Sequence, residues 1–310
     1  ERRIVTWVVL IALAALAYWP FFLESRRNTI NANARKGAPG KFARLSQGVT
    51  YYRWHGPARG PVIVAIHGLT TPSAVWNILM PGLNALGYRV LTYDLYGRGL
   101  SDAPRGLQDA QFFRQQLHDL LADQGLEDGV TLMGHSMGGA IASDYAASNP
   151  HQVSRVVLIA TAGIATIESR FSAFCRQVPL LGDWAFMTFA GPRHRRDMSD
   201  PDVISIVPDI VQVQVDELDR KGFLPAVLSS RRGILAHPQM EVHHQISRDD
   251  IPVIAIWGAR DDVIPMSALG QLAQWNRLAK QDVIADAGHG LLYTHGDDVI
   301  AVLRAVFSEK

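Results

Sequence analysis

The chain has 310 residues, 48% hydrophobic and 19% charged, with a formal net charge of +1. That length and apolar content suffice for a large core in one α/β domain, and the charge balance carries no signature of a nucleic-acid partner. Cys175 is the single cysteine, so an internal disulfide is excluded and the residue reads as a small buried apolar side chain.

The first element departs from a soluble picture. Ile4 to Leu23 reads IVTWVVLIALAALAYWPFFL, without a charge. At about 1.5 Å per residue a helix of that length reaches roughly 30 Å, the depth of a bilayer core. Trp19, Phe21 and Phe22 would lie at an interface. Residues 1–24 therefore predict an N-terminal transmembrane anchor. A cleaved signal peptide is the alternative, with Arg2 and Arg3 as its basic region and Ala15-Leu16-Ala17 as its cleavage site. The apolar run continues past that site into bulky residues, which favours the anchor. Arg26, Arg27, Arg35, Lys36 and Lys41 follow the run, so the positive-inside rule places the body on the cytoplasmic side. Signal cleavage would instead export it. Glu1 is not a methionine, so upstream residues are expected, and they would enter the same count. Residues 25–48 are polar and basic and read as a linker, a solvated tether or one resting on anionic headgroups.

From Val49 the body alternates two patterns. PVIVAIHG (61–68), YRVLTYD (88–94), VTLMGHS (130–136), VSRVVLIA (153–160) and IPVIAIWG (251–258) are short apolar runs suited to strands buried on both faces. Helix-length segments at 72–86, 110–123, 137–148 and 265–279 separate most of them. This rhythm predicts an α/β fold, a mostly parallel sheet flanked by helices. The core is assigned to 49–162 and 248–310. Residues 163–247 separate two strands by far more than a crossover needs. They carry apolar runs at 171–191 and a stretch at 201–235 that looks helical in parts, and read as a cap over one end of the sheet. The basic cluster Arg193, His194, Arg195 and Arg196 lies in this insertion and reads as a solvated charged face, with phosphate headgroups as the alternative contact.

Gly134-His135-Ser136-Met137-Gly138 is a G-x-S-x-G pattern between a strand and a helix. A sharp strand-to-helix turn lifts the serine hydroxyl clear of the sheet, and side chains two positions away would collide there. The helix that begins beneath it favours negative charge nearby. A serine hydroxyl needs a base. His289, in ADAGHG (285–290), has small neighbours that let an imidazole reach a crowded site; His295, at the start of the last helix, is the alternative. His67 and His135 read as structural parts of the motif loops, and His237, His243 and His244 as surface or packing residues. The base in turn needs an anion, and WGARDDVIP (257–265) offers Asp261 and Asp262. The backbone N–H groups of Met137 and Leu69 are the expected oxyanion donors.

HGLTTPSAVW, YDLYGRGLSD, GHSMGG, WGARDDVIP and AGHG, in this order, resemble the α/β-hydrolase superfamily of the serine-nucleophile esterase and lipase type. The likeness runs from about Val49 to the end of the chain. It implies eight strands, a cap after the sixth, and an acid three residues after the glycine of WG, which is Asp261. It also implies that Asp94, Arg98, Gly99 and Ser101 shape a loop beside the site. Relatives that open epoxides or remove halides carry aspartate where Ser136 stands, which argues against both. The apolar N-terminus and cap are similar to anchored monoacylglycerol lipases. The expected activity is hydrolysis of carboxylic esters with apolar acyl chains, on a small-molecule or lipid substrate, without metal or organic cofactor. Cleavage of a C–C, amide or thioester bond by the same triad is the alternative, and a non-catalytic ligand receptor or assembly partner of this fold the alternative from another class. The sequence carries no signal for oligomeric state.

Overall fold

The computed structural model describes residues 1–198 and 209–308. Helix α1 (Arg2–Ser25) precedes the antiparallel strands β1 (Lys41–Leu45) and β2 (Gly48–His55). Then follow β3 (Val62–Ile66), a 3₁₀ segment at Ser73–Leu79, α2 (Met80–Ala85), β4 (Arg89–Tyr93) and α3 (Ala110–Asp123). Next come β5 (Val130–His135), α4 (Met137–Ser148) and β6 (Val153–Ile159). The insertion carries α5 (Arg170–Gln177), α6 (Leu181–Met198), α7 (Ile210–Leu218), α8 (Phe223–Arg232) and α9 (Met240–Arg248). The chain closes with β7 (Val253–Gly258), α10 (Ser267–Trp275), β8 (Lys280–Ile284), α11 (Leu291–Thr294) and α12 (Gly296–Ser308). The sheet order is β1-β2-β4-β3-β5-β6-β7-β8. Pairing is parallel from β4 to β8 and antiparallel where β2 meets β1 and β4.

The strands are apolar throughout because both faces are covered. Val64 and Ile66 of β3 pack with α3, α4 and α10 residues such as Phe113, Ile141 and Leu272. Ile63 and Ala65 point the other way, toward Trp76, Leu83 and Leu303 of the 3₁₀ segment, α2 and α12. Period-two alternation thus feeds two separate cores from one continuous run. The strand ends at Ile66, His135, Ile159 and Gly258 face the same edge, the carboxyl end of the parallel sheet. Ligands bind at that edge in open α/β sheets.

Two expectations need correction. Residues 41–48 are not linker: β1 occupies 41–45 and pairs with β2. Its basic side chains concealed it, yet exposed Lys41 and Arg44 are what an edge strand carries against further pairing, while Ala43 is buried. Nor is 26–40 a free tether. The Asn28 N–H donates to the Asp219 carbonyl (2.7 Å), its carbonyl accepts from Lys221 N–H (2.8 Å), and Arg35 pairs with Asp102 at 2.6 Å. The insertion also returns to the body before residue 247. Helix α9 packs on α4 and α10, with Ile246 in the main core and His243 stacked on Trp275 at 6.1 Å. Cys175, Phe186, Leu218, Phe223, Leu224, Val227 and Leu228 form a separate small core between α5, α6, α7 and α8. Part of the helical expectation for 201–235, residues 201–208, lies outside the described residues.

Helix α1 is long and apolar enough to cross a membrane, and of its side chains only Pro20 is buried. Proline lacks the N–H that would bond the carbonyl four residues earlier. That carbonyl, on Leu16, accepts instead from the indole N–H of Trp184 in α6 at 2.7 Å. The Glu24 carboxylate accepts from the Gly222 N–H, so the helix end is fixed to the cap.

Candidate active site

Ser136 stands between β5 and α4 with φ 52° and ψ −119°, a backbone conformation costing on the order of 1–3 kcal/mol for a side chain other than glycine. Hydrogen bonds on both sides hold it there. Its N–H donates to the Ile159 carbonyl (3.0 Å), and its carbonyl accepts from Gly139 (2.9 Å) and Ala162 (3.0 Å). The flanking glycines have steric causes. A Cβ on Gly134 would lie 2.2 Å from the Gly138 carbonyl oxygen, and one on Gly138 would lie 2.0 Å from that of Ile66. Helix α4 therefore begins directly against the end of β3.

Three separate loops bring the predicted side chains together. His289 Nε2 lies 3.0 Å from Ser136 Oγ, and His289 Nδ1 lies 2.9 Å from Asp261 Oδ2. The other Asp261 oxygen accepts from the Val263 and Ile264 N–H groups, both at 2.8 Å. Burial pushes the Asp261 carboxyl up, but the His289 hydrogen bond and charge and the two amides outweigh it and hold the group below the usual carboxylate range. Asp262 is exposed and lines the cavity that opens at Ser136, but it is Asp261 that bonds to His289, and His295 bonds to the neighbouring Thr294 hydroxyl.

The loop after β3 passes over the serine: a Cβ on Gly68 would lie 3.3 Å from Ser136 Cβ. Leu69 follows and lines one cavity with Ser136. Two buried groups set this loop. His67 Nε2 accepts from the Leu95 N–H (2.8 Å), so its Nδ1–H donates to the Gly68 carbonyl (2.8 Å). Burial lowers its pKa to about 3, so it stays neutral. Arg98 Nε donates to the Leu69 carbonyl (3.1 Å), while its other nitrogens reach Tyr96, Gln108, Ala226 and Ser230. Asp94 accepts from the Ser73 and Leu100 N–H groups (2.9 and 2.8 Å). Ser101 Oγ donates to the Asp94 carbonyl at 2.6 Å. A Cβ on Gly99 would strike the Asp94 carboxylate.

His135 does more than occupy its loop. Its Nε2 lies 3.1 Å from the His289 carbonyl, tying the serine's turn to the histidine's loop. Burial drops its pKa to about 3, the nearby His289 adding to the fall. It is thus a neutral donor through Nε2. The sequence reading missed this link because the two residues are 154 positions apart.

A cavity of about 590 Å³ opens at Ser136, lined by Leu69, Ile164, Ile167, Leu235, Val263 and Ile264 among others. A hydroxyl hydrogen-bonded to an imidazole, itself bonded to a buried carboxylate, can attack a carbonyl carbon in such a cavity as the ring takes its proton. Among the described residues no group of His, Cys, Asp and Glu is arranged to hold a metal ion.

Comparison with known proteins bears on the fold and its relatives. A family model described as the alpha/beta hydrolase fold matches residues 61–185. An uncharacterised protein of Mycobacterium tuberculosis is 36% identical over 105 residues, 34% of this chain and 30% of that protein, so the match spans under a third of that relative's length. A pimeloyl-[acyl-carrier protein] methyl ester esterase of Aliivibrio salmonicida is 28% identical over 262 residues, covering 81% of this chain and 94% of that protein. Among solved structures, an enol-lactonase from Burkholderia xenovorans superposes with a TM-score of 0.72 at 20% identity. That match covers 87% of this chain and all of the lactonase.

Proposed function

We propose that this chain, which has the α/β-hydrolase fold and esterase-type relatives, is a serine hydrolase of carboxylic esters with apolar acyl chains. The observation that carries the reading is the Ser136–His289–Asp261 chain, with contacts of 3.0 and 2.9 Å. Ser136 Oγ attacks the ester carbonyl carbon while His289 Nε2 takes its proton. Asp261 holds the Nδ1–H and balances the charge that develops on the ring. The Met137 and Leu69 N–H groups receive the oxyanion, and Gly134, His135 and Gly138 shape the turn. His289 returns its proton to the leaving alcohol, breaking the acyl–oxygen bond. Water, deprotonated by His289, then adds to the acyl carbon and releases the acid and Ser136. These steps need no metal or organic cofactor. The apolar part of the cavity wall, Leu69, Ile164, Ile167, Leu235, Val263 and Ile264, suits an acyl chain, and the rest of the wall is polar. Helix α1 serves as a single membrane anchor, with the body on the cytoplasmic side by its flanking basic residues.

The test is covalent labelling by a fluorophosphonate probe. The wild-type chain is expected to label at Ser136 and to hydrolyse 4-nitrophenyl esters, and Ser136→Ala to lose both. Labelling that persists in that variant removes Ser136 as the nucleophile.

A further inference from the structure

A second cavity, of about 620 Å³, adjoins the catalytic one. The two share Ser169, Ser172, Asp197 and Arg231, which therefore stand between them. The second chamber has a mixed wall. Phe171, Phe186, Phe189, Phe223 and Leu224 make it apolar, and Arg193, His194, Arg196 and Arg231 make it basic. Among its described lining residues Asp197 is the one carboxylate, and that side chain is exposed. The Arg193 guanidinium carbon lies 4.2 Å from the centre of the Phe171 ring, which holds it at the wall.

Two polar atoms here are buried and lack any hydrogen-bond partner: Arg231 Nε and His194 Nε2. The next arginine, Arg232, is fully engaged, bonding to Asp183 and to the Cys175 and Arg176 carbonyls. Glu168, the carboxylate that attracts Arg231 electrostatically, is held by Arg176 in a bidentate pair. A buried guanidinium with an unmade hydrogen bond is an expensive arrangement in a folded chain. It becomes favourable once an oxyanion accepts from it, since planar N–H pairs match carboxylate and phosphate oxygens.

We propose that the substrate is an ester bearing a carboxylate or phosphate group, which the Arg231 chamber, with Arg193 and Arg196, receives while its ester carbonyl lies at Ser136. This rests on the esterase reading and narrows it to anionic substrates. The apolar walls hold the chain between the two groups, and Arg231 is a specificity residue.

The full chain is tested on two matched pairs. In 4-nitrophenyl octanoate against mono-4-nitrophenyl suberate the charge sits on the acyl side. In 1-monoacylglycerol against 1-acylglycerol 3-phosphate it sits on the alcohol side. The wild type is expected to favour the charged member of one pair by tenfold or more in kcat/KM, and that pair identifies the side. Arg231→Met should reduce this ratio at least tenfold, chiefly through KM, and Arg231→Lys should reduce it less. Absence of a charge preference in both pairs, or equal loss on charged and neutral members, overturns the proposal. Should Arg231→Met not fold, inhibition of the wild type decides. On neutral-ester turnover, suberate and glycerol 3-phosphate are compared with octanoate and glycerol. A tenfold advantage for one anion over its control supports the proposal, and no advantage for either overturns it. Failure of the parent reading looks different: neutral esters would be turned over or the probe bound without Ser136.

Discussion

Replacing Asp261 with asparagine tests the relay at its most constrained point. The two amides of Val263 and Ile264 both donate to one oxygen of this side chain. In Asp261→Asn they select the carbonyl oxygen for that position, which turns the NH₂ group toward His289 Nδ1. The ring must then accept at Nδ1 and carry its proton on Nε2, facing Ser136 Oγ, where it cannot act as a base. The charge is lost as well. At about 4 Å between charge centres and an effective dielectric constant of about 20, the missing attraction on the imidazolium is about 4 kcal/mol. That is about a thousandfold in rate, and the wrong tautomer adds to it, so kcat should fall by between about 10³ and 10⁴. KM should change little, because Asp261 does not line the cavity. Steady-state hydrolysis of 4-nitrophenyl butyrate and the rate of fluorophosphonate labelling measure both. Asp262→Asn is the control: Asp262 lines the cavity while His289 bonds to Asp261, so kcat should stay within tenfold of wild type and any effect should fall on KM. If Asp261→Asn stayed within tenfold of wild type, or Asp262→Asn took the loss instead, the assigned relay would be refuted.

Three other outcomes follow from the same geometry. Gly138→Ala would place a methyl 2.0 Å from the Ile66 carbonyl oxygen, so α4 must move and Ser136 with it. Esterase activity should drop at least a hundredfold, and wild-type activity would contradict the packing argument. Arg98→Lys removes the Nε–H that holds the Leu69 carbonyl, and kcat should fall roughly tenfold with a smaller effect on KM, as for a loosened oxyanion donor. His243 is buried, which lowers its pKa to about 4, with His244 contributing. The unfolded chain therefore binds this proton below about pH 6.5 and the folded chain only near pH 4. Stability supplied by the neutral ring is lost as pH falls through that window, by about 2 kcal/mol between pH 7.5 and 5. His243→Phe should make the urea midpoint fall less steeply over that range, the buried His67 and His135 keeping their own share of the slope, and an unchanged slope would refute the assignment.

The strands and the serine turn were legible because their causes are local. A run such as VIVAI must be buried on both faces, and the glycines around Ser136 answer collisions within one turn. The histidine and the acid were legible as loop positions at one sheet edge; residue type alone left Asp261 and Asp262 open, and the spacing after WG in the resemblance favoured Asp261. The amides of Val263 and Ile264 show which neighbour turns inward. The same holds for Arg231 and Arg232. Adjacent helical residues differ by about 100° in direction, so one arginine reaches Asp183 and the other faces the cavities. Nothing in the string SSRRGIL separates them.

What sequence periodicity could not show is how the N-terminal helix relates to the cap. Pro20 reads locally as a break in an apolar helix. Its effect appears 168 positions away, where the carbonyl it leaves unbonded meets Trp184. A carbonyl left without its helical partner needs a donor, and the cap supplies one through the indole of Trp184. Asn28 then joins the segment after the helix to the α7–α8 turn through backbone hydrogen bonds. The helix is thereby a structural neighbour of α6, which carries Arg193 and Arg196 of the second chamber and itself packs on α8, which carries Arg231. A lipid-inserted helix so attached would keep the cap close to the membrane surface, where esters with an apolar chain and an anionic group are concentrated by partitioning. The apolar helix and the basic chamber thus point to one proposed substrate class, and they arise from residues far apart in the chain.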